Sequence, residues 1–232
     1  MAADPARVLY RDAWLLAVLK PSGLLSQPGR GPDLQDSLIT RMQRCEADLH
    51  LVHRLDRDTS GVILLARGRE SLRRCSALFA ARRVSKLYEA EVVGRLQGRG
   101  RIENRLARLQ RDPPLYGSHP AGRPALTLWR TRWLQANSTR LWLRPITGRS
   151  HQLRAHLAEL GHPILGDPIY GTHRGGQLRL HARALAMPHP FTGERLRVCA
   201  SGGLQPDDRG RAGIGYGMRR WRMRRQTRTK AC

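Results

Sequence analysis

His53-Arg54-Leu55-Asp56-Arg57-Asp58-Thr59-Ser60-Gly61 runs straight into Val62-Ile63-Leu64-Leu65-Ala66 and closes at Arg67-Gly68. A charge-dense turn feeding a β-branched and aliphatic run predicts a loop followed by a buried strand. The two acids of the turn admit two readings. In one, Asp56 and Asp58 are turn carboxylates that accept from local N–H groups and pair with neighbouring arginines. In the other, one of them is kept ionised by guanidinium charge in a basic cleft and serves as a nucleophile. Spacing alone favours the first, so the choice falls to the rest of the chain.

At 232 residues the chain has room for one sizeable core or two small ones. Its hydrophobic share of 40% is low but sufficient for a fold with a very polar surface. No apolar run is long enough to span a membrane, and the acid-bearing N-terminus lacks a signal peptide's apolar core, so a cytoplasmic protein is expected. The net charge is +24, and 39 of the 42 basic residues are arginine. Residues 201–232 carry +7 of that charge, which leaves the first 200 residues at +17. Arginine forks onto phosphates and base edges, so a body this basic suits a nucleic-acid surface. Cys45, Cys75, Cys199 and Cys232 are scattered, with no CxxC pair and no histidine at zinc-finger spacing. No metal site is expected.

Two short strands are expected at residues 7–10 and 14–19, followed by the Lys20-Pro21-Ser22-Gly23 loop. Lys20 stands at a strand end, where side chains enter clefts, although a turn role suffices for it alone. Helical spacing covers 37–47, with Asp36 or Ser37 as N-cap, and again 70–83 with Leu72, Cys75, Leu78 and Phe79 inward. Residues 85–93 alternate as a half-buried strand that sets Lys86 and Tyr88 on one side and Glu89 and Glu91 on the other. Residues 94–122, rich in Gly, Pro and Arg, suggest an extended excursion. A hairpin is expected over 126–134 and 139–144. A helix over 150–160 then buries Leu153, Leu157 and Leu160, and Arg149, Ser150 and His151 at its start suit an anion. Closing strands fall at 178–187 and 194–199. The expected organisation is a globular part over 1–200 and a basic, disordered or loosely attached tail over 201–232.

Four blocks stand in one order: Lys20-Pro21-Ser22-Gly23, His53 to Gly61, Lys86-x-Tyr88, and Thr147-Gly148-Arg149-Ser150-His151-Gln152-Leu153-Arg154. With Gly161-His162-Pro163-Ile164-Leu165-Gly166-Asp167 after them, residues 7 to 199 resemble the RluA family of RNA pseudouridine synthases. Only 52 residues precede His53, too few for an S4 RNA-binding domain, so the resemblance is to the short form. Members of that form modify tRNA anticodon stem-loops and a 23S rRNA hairpin loop. The resemblance implies an α+β fold, a mixed, mainly antiparallel sheet flanked by helices and loops. It makes Asp56, not Asp58, the catalytic carboxylate. It points to Tyr88 as the residue that packs on the target base and handles a proton, and to Arg149 as the partner of Asp56. RNA contacts are implied at His53, Arg54, Lys86, His151, Gln152 and Arg154, with Arg54 the expected filler of the gap left by a flipped base. No cofactor, no DNA partner and a monomer are expected.

The chemistry is consistent with this. Isomerising uridine means breaking the C1′–N1 bond, turning the uracil while it stays bound, and joining C1′ to C5. A carboxylate could add to C6, capture C1′, or take the C2′ proton to give a glycal, and the sequence leaves all three open. Three other readings compete: an RNA-binding or ribosome-assembly factor that lost the reaction, a hydrolase using Asp56 and Asp58 as a glycosidase-like pair, and an Arg-rich structural ribosomal protein, which the globular pattern over about 200 residues disfavours.

Overall fold

A computed structural model describes residues 6–171, 175–200, 204 and 214–215. The apolar run of the opening motif becomes β4 (Ser60–Arg67), flanked by β2 (Leu15–Lys20) and β3 (Leu49–Leu51), with β1 (Val8–Arg11) at the edge. Because every residue of that run is apolar, β4 buries both faces. Val62 and Leu64 pack against Cys75 of α2 (Arg69–Ala80), whereas Ile63 and Leu65 pack against Leu38, Ile39 and Met42 of α1 (Leu38–Gln43). Each such side chain contributes about 1.5–3 kcal/mol on leaving water. Ser37 caps α1, its hydroxyl accepting from the Thr40 N–H in a capping box.

The second half of the sheet comprises β5 (Ser85–Val93), β6 (Arg99–Gln110), β7 (Leu115–Ser118), β8 (Arg123–Leu134) and β9 (Ser138–Pro145). Helix α3 (Gln152–Glu159) lies on it through Leu153 and Leu157. β10 (Leu180–Pro188) joins the halves, giving the order β1-β2-β4-β10-β5-β9-β8-β6-β7. β11 (Arg195–Cys199) pairs with β10, and β12 (Ile214–Gly215) with β8. Among the described residues all strand pairs are antiparallel except β4 with β10, where Ser60 and Gly61 face His181 and Ala182. The sheet is therefore mixed and mainly antiparallel, as expected.

Three expectations are corrected. The excursion at 94–122 is the pair β6 and β7; its strands were hidden because arginine and glycine occupy positions on an exposed face where β-branched residues would have signalled them. Leu160 is 40% exposed, and the inward face of α3 carries Arg154 and His156 instead, because polar partners await them below the helix. β3 was missed for its brevity. The tail lies outside the described residues, apart from Ile214–Gly215 and Leu204, whose carbonyl accepts from Arg140.

The β4–β10 seam depends on one glycine. Gly61 has φ 118°, and a Cβ there would stand 2.3 Å from the Ala182 carbonyl oxygen. Gly61→Ala is expected to cost about 3 kcal/mol or more in urea unfolding, since it combines strain with a backbone clash. An unchanged midpoint would contradict this reading of the seam.

Candidate active site

The seam is where the two halves of the sheet present their loops. The His53–Thr59 loop enters from the β3–β4 side, and the 146–151 turn leading to α3 enters from β9. Between them lies a cavity of about 320 Å³, walled among others by Arg54, Asp56, Lys86, Tyr88, Arg149 and Arg154. His53, His151 and Gln152 also line it, so all nine candidate residues converge here. Among the described residues Asp56 is the single carboxylate on these walls; Asp58 is absent from them and pairs with its neighbour Arg57 at 3.0 Å. A glycosidase-like pair of the two acids therefore lacks its second member in the cavity.

The loop that carries Asp56 is held from behind by the block that opened the chain. Lys20, fully buried, donates from Nζ to the carbonyls of Pro21, Leu24 and Arg57 at 2.7–2.8 Å. Burial pushes its pKa down to about 8, against the pull of Asp58 and Asp56. Ser22 Oγ donates to the Asp58 carbonyl, and Ser26 Oγ both donates to the Leu55 carbonyl and accepts from the Leu55 N–H. The backbone on both sides of Asp56 is thus pinned. The sequence offers Lys20 a turn role or a place at a cleft and gives Ser26 none; the structure puts both to holding the loop backbone.

The arginine beside Asp56 is Arg154, with Nη1 3.7 Å from Oδ2, and not Arg149. Arg149 lines the same cavity, but its Nε donates to the Pro124 carbonyl at 3.1 Å. The reason is positional. Arg149 precedes α3 on an open turn, whereas Arg154 lies on the inward face of the helix, with a side chain only 3% exposed. Arg154 also donates from Nε and Nη2 to the two oxygens of Asp167, both at 2.7 Å. Desolvation opposes its charge, yet the Asp167 and Asp56 carboxylates hold its pKa above the ordinary value. Burial likewise works to raise Asp167, but Arg154 and the Tyr170 and Ile169 N–H groups hold it below the usual carboxylate range. An Asp167–Arg154–Asp56 chain of alternating charge results, anchored by the Gly161–Asp167 block that the sequence reading left without a role.

Tyr88 stands at the seam on β5, paired with Leu143 of β9 and Ala182 of β10. Burial, with the nearby Asp56 charge, raises its phenol, so the hydroxyl keeps its proton at neutral pH. It presents a ring face and a donor rather than a base. Lys86 donates to the Thr147 carbonyl at 3.3 Å, and burial lowers its pKa. Arg54 is exposed at the cavity wall, with no polar partner among the described residues.

Two histidines and a glutamine turn inward for structural ends. His53 Nε2 accepts from the Leu64 N–H at 3.0 Å, and its ring lies 5.1 Å from that of Phe79. Burial pushes its pKa down to about 3, so it is neutral and an acceptor. Gln152 donates to the Leu126 carbonyl and Thr127 Oγ1 while its Oε1 accepts from Thr147 Oγ1 and the Arg149 N–H. All its polar groups are thereby engaged within the protein. His151, at a left-handed φ of 52°, sets Nδ1 3.2 Å from the Tyr170 hydroxyl.

A basic crevice across the middle of a mixed sheet, with a carboxylate beside a buried arginine and a tyrosine that keeps its proton on the same walls, suits a protein that acts on a polyanion. A family model described as RNA pseudouridylate synthase matches residues 15–159. The dual-specificity RNA pseudouridine synthase RluA of Yersinia pestis is 42% identical over 193 residues, covering 80% of this chain and 94% of that protein. Its counterpart from Escherichia coli K12 is 39% identical over 196 residues, covering 82% and 90%. The solved structure of human RNA pseudouridylate synthase domain containing 1 superposes with a TM-score of 0.72 at 28% identity, covering 85% of this chain and 83% of that one. The chain belongs to the RNA pseudouridine synthase family, in its RluA branch, and is an isomerase acting on RNA.

Proposed function

We propose that Asp56 is the catalytic carboxylate of uridine isomerisation in a tRNA anticodon stem-loop and a 23S rRNA hairpin loop. The observation that carries this is a carboxylate that stands alone on the cavity walls among the described residues, 3.7 Å from a guanidinium that is itself fixed by Asp167. An ionised carboxylate at that point can add to C6, capture C1′ or accept the C2′ proton. Whichever step occurs, C1′–N1 breaks and N1 takes up a proton, C1′–C5 forms and the C5 proton leaves to solvent, so the product is an isomer of the substrate. Tyr88 supplies a face for the extruded uracil and a hydroxyl donor. Arg54, exposed and without a described partner, enters the stack in place of the base. Arg149 contacts backbone phosphate from the open side of the cavity. The choice of RNA is supported by the two relatives named dual-specificity that this chain covers almost completely. The enzyme works as a cytoplasmic monomer.

Mapping pseudouridine in total RNA from cells with the active protein, with its Asp56→Asn form and without it tests the assignment. Sites that require the active form in both tRNA and 23S rRNA are expected. Their absence from one of the two narrows the target to the other. Pseudouridine levels independent of residue 56 would leave an RNA-binding or assembly role.

A further inference from the structure

A second groove, of about 340 Å³, continues the cavity along the β6–β7 hairpin. Its walls carry Arg108, Tyr116 and Arg123, and it shares Gly148, Arg149 and Ser150 with the first. Three arginines and no carboxylate line it among the described residues. Gly122 shapes its floor: a Cβ there would stand 2.6 Å from the backbone of Leu106, so only glycine lets the turn into β8 lie against β6.

Tyr116 is the aromatic of this groove. The Arg108 guanidinium lies 5.7 Å from its ring centroid, and the His151 ring meets it edge-on at 5.2 Å. Its position is tied to the first site by a short chain of contacts. The Tyr116 N–H donates to the Tyr170 hydroxyl at 2.8 Å, that hydroxyl lies 3.2 Å from His151 Nδ1, and Arg154 sits 5.1 Å over the Tyr170 ring. A second set of bonds joins the hairpin to α3. His156 Nε2 is 2.7 Å from Asn104 Oδ1, and the Glu159 carboxylate accepts from the Asn104 amide and from Ser118. The strand that bears Tyr116 and the helix that bears Arg154 are thereby one rigid assembly.

We propose that this groove binds a nucleotide next to the target uridine on the same RNA strand, with its base against Tyr116 and its phosphate among Arg108, Arg123 and Arg149. The proposal rests on the isomerase reading above and adds a specificity-determining subsite to it. Extruding one base from a folded loop unstacks its neighbours as well, and an aromatic face beside the cavity replaces the stacking they lose. Arginines around such a face grip the sugar-phosphate chain. Because every base has a π-face, the subsite selects loops whose neighbouring nucleotide can swing out rather than one particular base.

The test uses the full chain and a stem-loop RNA tritiated at C5 of the target uridine, in three versions: unmodified, abasic at the 5′ neighbour, and abasic at the 3′ neighbour. Tyr116→Ala is expected to raise KM for the unmodified RNA by about tenfold or more, the loss falling in KM rather than kcat, while Tyr116→Phe stays within about threefold of the parent. One of the two abasic RNAs should raise the parent enzyme's KM by a similar factor and cause no further loss in Tyr116→Ala. Losses that multiply for both abasic RNAs, or a KM insensitive to Tyr116→Ala, would overturn the proposal. Fluorescence anisotropy on the same RNAs makes the same comparison for binding alone. A parent enzyme that releases no tritium would thus count against the isomerase reading while the anisotropy series still decides the groove. Circular dichroism and urea midpoints show whether Tyr116→Ala keeps its fold.

Discussion

Asp56→Asn should lower tritium release from uridine-labelled stem-loop RNA by at least about 10⁴-fold and leave RNA affinity within about threefold. Asparagine keeps the shape of the side chain and removes the charge. Arg154 stays in place without Asp56, because both oxygens of Asp167 hold it. The Lys20 and Ser26 contacts reach only the backbone of the loop and are untouched by the change. What disappears is the ionised group that could add to C6, capture C1′ or take a proton. Measurable turnover in the variant, with correct folding shown by an unchanged urea midpoint, would remove Asp56 from the mechanism.

The second large effect separates the two arginines. Arg154→Ala should destabilise the protein by about 3–5 kcal/mol, because it strands the Asp167 carboxylate at 0% side-chain exposure without a counter-charge. For a chain of this size that corresponds to a loss of roughly 6–20 °C in Tm, and turnover should fall along with it. Arg149→Ala should change stability by no more than about 0.5 kcal/mol, since its one described side-chain hydrogen bond goes to a backbone carbonyl at the surface. Its cost belongs in KM. The pH dependence follows from the sign of the Asp167 shift. In the parent, Asp167 is held below its unfolded value near 3.9, so its contribution is complete at neutral pH and is lost as pH falls through the folded value. In Arg154→Ala only the Ile169 and Tyr170 N–H groups still oppose burial, so the carboxyl takes up its proton more readily than in the parent and acid relieves the variant. The gap in stability between the two should be widest near pH 7 and close toward pH 4. Equal stability losses from the two substitutions would refute the assignment of Arg154 as the buried partner.

The candidate site was unusually legible because its residues sit in short, ordered blocks whose resemblance to one family is specific. The sequence blocks contain Asp56, Tyr88 and the residues around them, and the fold brings these into one cavity. The choice between Arg149 and Arg154 was not legible. Both are arginines within one block, and only the rotation of α3 decides which of them faces inward. Tyr116 and Tyr170 were invisible for a different reason. Each stands in a segment without periodic signal, and Tyr116 belongs to a strand that the Gly- and Arg-rich composition disguised as a loop.

The amino-acid order alone determined a buried strand and the charged loop in front of it, because apolar period and turn chemistry are local properties of the chain; singling out Asp56 from Asp58 took the resemblance of the ordered blocks to one family. It also determined a surface suited to a polyanion, since net charge needs no coordinates. Tertiary structure decided which guanidinium stands beside Asp56, that Asp167 holds it, that Lys20 ties down the loop from behind, and that Tyr116 borders the same crevice. These contacts join segments as distant as Asp56 and Arg154, and their geometry exists only once the two halves of the sheet meet at Gly61 and Ala182.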